Sequence, residues 1–146
     1  VDGDGVGLNG APDVTLPTAS GNYHVVIRHR NRLALASGVP HACGLFTGID
    51  LRDMSVSTWS GDHSLPQGDT NGDGMIKYTG SANDRDPILL AVGSTTPNAT
   101  LTNVYDRRDT NLDGVIKYTG TANDRDIILT NVGSTTPNNT RTQQLP

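Results

Sequence analysis

The sequence predicts a mixed β and α fold: a partial antiparallel β-sandwich over residues 1–61, then tandem loop–helix repeats over residues 62–146. Three observations lead there. Residues 69–100 and 109–140 are one phrase written twice, differing at only seven positions. The stretch NYHVVIRHRNRLALASG before them alternates with the period of two expected of a half-buried strand. The composition, with 17 Gly, 8 Pro and many Asn, Asp, Ser and Thr, favours turns and short elements over long regular ones.

In chain order, the opening VDGDGVG in place of a Met suggests a product processed or excised from a longer chain. DVTLP is a first strand candidate, the YHVVIRHR stretch a second, and ACGLFTGIDL a third. The second would place Tyr23, Val25, Ile27 and His29 on one face and His24, Val26, Arg28 and Arg30 on the other. Three or four strands are too few for a closed sandwich. A missing N-terminal portion or another chain must then cover the open edges, because unpaired strands expose backbone donors and acceptors. In each repeat, MIKYTG or VIKYTG reads as a short extended segment followed by a helix. Asp86 and Asp126 are the expected N-caps, Pro87 takes the first turn, and Ile88, Leu89 and Val92, or Ile128, Leu129 and Val132, form the buried face. Gly93 and Gly133 close the helices, and a supersecondary unit repeated at this period packs against its copy.

Composition bounds function as well as fold. Only 34% of the 146 residues are hydrophobic and 4% aromatic, so the core is small and stability must come partly from elsewhere, for which metal ions are one source. The net charge of -4, from 15 acids and 11 bases without a basic run, argues against nucleic acid as a partner. Cys43 is the only cysteine, which excludes an intrachain disulfide framework and a Cys-based zinc cluster. No apolar run approaches the roughly 18 residues of a membrane span.

The repeated phrase carries the chemistry. A hard cation such as Ca²⁺ takes about six to eight oxygen ligands, and DTNGDG supplies them at alternate positions. Asp69, Asn71 and Asp73 match positions one, three and five of an EF-hand loop, Gly74 its turn glycine, and Met75 its backbone-carbonyl ligand. The second set is Asp109, Asn111, Asp113, Gly114 and Val115. Position twelve, where a bidentate acid belongs, is Gly80 or Gly120. The loop is therefore read as longer than an EF-hand, closed by Asp86 or Asp126, with Asp84 or Asp124 as ligand or supporting group and Asn83 or Asn123 as weaker candidates. About two Ca²⁺ ions are expected, and a third is open near Asp2, Asp4 and Asn9.

The phrase DTNGDG…KYTG…NDRDPIL resembles the carboxy-terminal repeats of large secreted and cell-surface proteins of Bacteroidota, and its loop–helix layout is similar to dockerin type I repeats. SGNYHVVIRHRNRLALAS after VDGDG, and the terminal RTQQLP, resemble the neighbouring segments of the same proteins. The resemblance covers most of the chain, and the late closing acid is where it departs from dockerins. It implies an extracellular, calcium-stabilised module near the end of a surface or fibre-forming protein.

Other signals are weaker. RHRNR, Arg28 to Arg32, could grip an anionic glycan or a neighbour's acids through arginine forks, or simply be a solvated strand end. His24, His29, His41 and His63 lack metal-ligand spacing. Asn98 and Asn138 head N-x-Thr sequons in exposed turns and are candidate glycosylation sites. No nucleophile elbow, triad order or phosphate loop is present, and acids beside a cation stay ionised, so no catalysis is expected. The expected function is a noncatalytic extracellular structural protein that self-associates into a homopolymer or joins neighbouring domains of a surface protein. A dockerin-like docking module and a carbohydrate-binding module are the alternatives.

Overall fold

The computed structural model describes residues 20–43 and 53–146. The strand expected at DVTLP, most of that expected over ACGLFTGIDL, and the third cation position at Asp2, Asp4 and Asn9 lie outside the described residues.

The segment expected as one long strand is a broken hairpin. Gly21–Tyr23 forms β1, Val26–His29 forms β2 and Arg32–Ala36 forms β3, with Arg30 and Asn31 turning between the last two. The break at His24 and Val25 has a local cause, because Ser37 is fully buried and its polar groups find their partners there. The Ser37 carbonyl meets His24 Nδ1 at 2.7 Å, its hydroxyl accepts from Val25 N–H at 3.1 Å, and its own N–H donates to the Val25 carbonyl at 2.9 Å. β1 pairs instead with β4, His41–Cys43, which sets Tyr23 opposite His41. The predicted alternation is also lost. Val26, Ile27 and Arg28 are all exposed, whereas Leu33, Ala34, Leu35 and Ala36 are all buried. β3 is enclosed because β2 flanks it while Leu33 N–H donates to Pro66 and Ala34 and Ala36 exchange backbone bonds with Gln144.

Each repeat then runs loop, strand, helix, tail strand. The first holds β5 (Met75–Lys77), α1 (Arg85–Ala91) and β6 (Thr100–Thr102); the second holds β7 (Val115–Lys117), α2 (Asp124–Val132) and β8 (Thr140–Thr142). The tails are exchanged. β8 lies antiparallel to β5 with Arg141 opposite Ile76, and β6 lies antiparallel to β7 with Leu101 opposite Ile116, so the registers are equivalent and the pair has an approximate two-fold. Side chains repeat the exchange, since Thr79 donates to the Pro137 carbonyl and Asn138 Oδ1, and Thr119 to the Pro97 carbonyl and Asn98 Oδ1. Among the described residues the strands form four antiparallel pairs with two helices, and no closed barrel.

Both helices begin earlier than the sequence predicts. Asn83 and Asn123, in place of Asp86 and Asp126, receive the first-turn N–H, accepting from Asp86 N at 3.1 Å and Asp126 N at 3.0 Å. Their amides donate back to Asp86 and Asp126 Oδ2 at 2.8 Å in both copies, a variant of the capping box. At the other end Gly133 closes α2 with φ 109, a conformation that a Cβ would strain. The helices bury Ile88, Val92, Ile128 and Val132 against Ile76 and Ile116 across the two-fold. Leu33 of β3 completes this core, which therefore crosses the boundary expected at residues 61 and 62.

Candidate metal centres

Short polar side chains shape each loop by accepting hydrogen bonds from N–H groups further along the chain. Asp69 Oδ1 accepts from Gly72 N at 2.6 Å and Oδ2 from Gly74 N at 3.1 Å; Asn71 Oδ1 accepts from Asp73 N and Asp73 Oδ1 from Met75 N, both at 2.9 Å. The second loop repeats the pattern with Gly114 N on Asp109 Oδ2 at 3.0 Å, Asp113 N on Asn111 Oδ1 at 3.0 Å and Val115 N on Asp113 Oδ1 at 2.8 Å. These turns, natural to Asp and Asn, gather three oxygen-bearing side chains on one loop.

Two oxygens then converge on the Asn71 amide. Asp73 Oδ2 stands 3.2 Å and the Ala82 carbonyl 3.0 Å from Asn71 Nδ2; Asp113 Oδ2 and the Ala122 carbonyl both stand 3.0 Å from Asn111 Nδ2. Ala82 and Ala122 each adopt φ 54, the left-handed turn that brings the chain past the loop. Sequence reasoning missed both alanines. Their only signal is that SAN and TAN stand where the loop must be closed by something other than Gly80 or Gly120.

The late acids are divided between two tasks. Asp84 and Asp124 are fully buried beneath the loops. Asp84 Oδ1 accepts from Thr70 N at 2.8 Å and Asn71 N at 3.3 Å, and Oδ2 accepts from Lys77 N at 2.8 Å; Asp124 does the same with Thr110, Asn111 and Lys117 at 2.7, 3.4 and 2.8 Å. Each carboxylate thus ties the start of its loop to the strand that leaves it. Thr70 and Thr110, also buried and also missed, donate their hydroxyls to the Asp84 and Asp124 carbonyls. Burial pushes the Asp84 carboxyl up to about 6 against the pull of the three N–H groups, and the neighbouring Asp69 charge adds to the rise. Burial raises Asp124 as well, and raises Asp69 against the N–H groups of Gly72 and Gly74. Asp86 and Asp126 are exposed on the first helical turns, bonded to Asn83 and Asn123 and beside Arg85 at 3.8 Å and Arg125 at 3.2 Å.

The loop residues can each offer oxygen to a hard cation, Asn71 and Asn111 only by turning Oδ1 in place of Nδ2 toward the convergent oxygens. Side chains of Asp69, Asn71 and Asp73 and the carbonyls of Met75 and Ala82 are the groups that could hold one, with Asp109, Asn111, Asp113, Val115 and Ala122 in the second loop. Among the described residues no three His, Cys, Asp or Glu side chains group around one point, so any ion would rely on amide and backbone oxygens beside two carboxylates.

The hairpin turn sits between the loops. Asn31 is fully buried, accepts Gly68 N at 2.8 Å and Asp69 N at 3.2 Å on its carbonyl, and donates its amide to the Asp109 carbonyl at 2.6 Å. Arg30 reaches Asp109 Oδ2 at 4.0 Å and Arg107 crosses the first loop, where a Cβ on Gly72 would lie 1.9 Å from its Nη1. Leu112 holds the equivalent position in the second loop with φ 65. Asn98 and Asn138 are exposed, with their side-chain oxygens engaged by Thr119 and Thr79.

Comparison with protein-family models, curated proteins and solved structures finds no match to this chain.

Proposed function

We propose that this chain is a noncatalytic extracellular structural module in which two dockerin-like loops bind Ca²⁺ and lock the paired repeats. The observation that carries this reading is the convergence of an Asp carboxylate and an Ala carbonyl on the Asn amide, made alike in both loops. An ion held by the folded loops alone would stabilise them by mass action, about 2.7 kcal/mol at a free concentration of 100 Kd. That matters for a chain whose shared core is seven small or medium apolar side chains. In this reading β1 to β4 belong to a sheet that another chain completes, and the exposed Val26 and Ile27 on β2 support strand addition that would link copies or neighbouring domains into a surface assembly or filament. A docking module is the second reading. It is supported by Leu90, which is 70% exposed on α1 where the second repeat has Thr130.

Calorimetric titration of Ca²⁺ into metal-free protein tests the first reading. Two sites are expected, one removed by Asp73→Ala and the other by Asp113→Ala. Absence of binding heat, with an unchanged melting temperature, would overturn it and leave the repeated phrase as turn chemistry.

A further inference from the structure

Four of the 11 basic residues of this acidic chain meet in one place. Arg28, Arg30 and Arg32 from the hairpin and Arg107 from the linker between the repeats line a cleft of about 330 Å³ in which Asp69 is the only carboxylate among the described residues. Its oxygens accept from the Gly72 and Gly74 N–H groups, and Arg107 lies close enough to favour its charged form. A second cleft of about 530 Å³ shares Arg30 and Arg107, is walled by Tyr105, and includes Asp106, whose carboxylate is paired with Arg108 at 2.6 Å.

The four arginines are not equivalent. Arg30 donates Nε to the Asp106 carbonyl at 3.1 Å and Arg32 donates to the Leu65 carbonyl at 3.0 Å, so both are held in place. Arg28 and Arg107 are exposed and make no ion pair among the described residues. The Arg107 guanidinium packs over Gly72, where a Cβ would meet it unless the side chain swung aside. Tyr105 is 86% exposed while the Arg30 guanidinium covers one ring face at 4.0 Å from the centroid. The other face is open in the cleft that Tyr105 shares with Arg107, whose guanidinium makes no ion pair among the described residues.

We propose that these joined clefts bind an acidic saccharide, with Arg28 and Arg107 gripping its carboxylate or sulfate and Tyr105 offering its free face to the C–H side of a sugar ring. Guanidinium forks match planar or tetrahedral oxyanions in pairs. The cleft volume is in the range of small-ligand sites, of the order of 300 to 1,000 Å³. Among the described residues Ala34 is the only purely apolar side chain in the basic cleft, which disfavours a peptide anchored by a hydrophobic residue. The clefts border the first loop through Asp69, Asn71, Gly72 and Gly74, so the inference is tested on the metal-free chain.

The test is titration of the full chain, in calcium-free buffer, with a uronate disaccharide, its neutral methyl ester, sodium sulfate and a hexaglutamate peptide. Binding of the uronate is expected, with the ester at least tenfold weaker and with sulfate and peptide weaker than the uronate. Arg28→Ala and Arg107→Ala should each weaken uronate binding at least tenfold, and Tyr105→Ala several-fold. Should Arg107→Ala disturb the fold, Tyr105→Ala and Arg28→Lys at exposed positions still decide the matter, the lysine keeping charge and losing the fork. Equal binding of acid and ester, binding of the peptide or sulfate as tight as the saccharide, or indifference to these substitutions would each overturn the proposal.

Discussion

Two aspartates two positions apart show how finely burial sorts like residues. Asp84 is fully buried with three backbone N–H groups on its carboxylate, whereas Asp86 is exposed and bonded to one side-chain amide and the N–H cap geometry around it. Asp84→Ala orphans the N–H donors of buried Thr70 and half-buried Lys77 and is expected to cost about 3 kcal/mol, the upper part of the range for such losses; Asp86→Ala should cost about 1 kcal/mol or less. Denaturant titration of the two variants checks the difference, and equal losses would refute it. The same carboxyl gives a pH signature. Its folded value of about 6 lies above its ordinary value of 3.8, so the folded state holds the proton more tightly, and the resulting stabilisation is complete below about pH 4 and lost as pH rises through 6. Carboxyl-carbon NMR on metal-free protein should find the midpoint near 6, and a midpoint near 4 would exclude this account. The sequence displayed both acids in one cluster, ANDRD, but not which of them the chain would bury. That depends on the strand and loop amides converging from positions 70, 71 and 77.

At the scale of elements, the duplication was legible because apolar residues at Ile76, Ile88 and Val92 recur at identical spacing, and the strand–helix order follows from them. The exchange of tail strands was not, because TLT and TRT are too short and too polar to reveal a partner. Their pairing is imposed by the two-fold packing of the isoleucines. The hairpin was hidden for a related reason. RHRNRL reads as continuous alternation until the buried Asn31 makes the turn, and Asn31 is buried only because both repeats present backbone groups to it. Exchange predicts that a tail stabilises the repeat to which it does not belong. Removal of residues 140–146 strips β5 of its partner and takes the Gln144 bonds from Ala34 and Ala36 and the Gln143 bond from Gly74. At about 0.5 to 1.5 kcal/mol per bond, the loss approaches the roughly 5 to 15 kcal/mol of a whole small domain. The truncated chain should therefore melt without a cooperative transition in circular dichroism; a sharp transition near that of the intact chain would show the tail to be dispensable.

For the molecule as a whole, the question is whether it unfolds as two units or one. A division at residue 61 implies that stripping calcium loosens the repeats while the hairpin survives. The packing argues otherwise, because Leu33 lies in the repeat core, Leu33 N–H is bonded to Pro66, and the buried Asn31 holds the first residues of both loops. A core this small offers few contacts from which either part could be stable without the other. If the loops carry calcium, its removal should raise hydrogen exchange at Leu33 and Ala36 in step with Ile76 and Ile116, since all four report one cooperative opening. Exchange measured with and without chelator decides the matter. Parallel loss of protection would make the hairpin part of the calcium-dependent unit, so that any chain adding to the exposed β2 would sense the state of the loops through β3. Protection kept at Leu33 and Ala36 while Ile76 and Ile116 open would instead restore two units and separate strand addition from the ion.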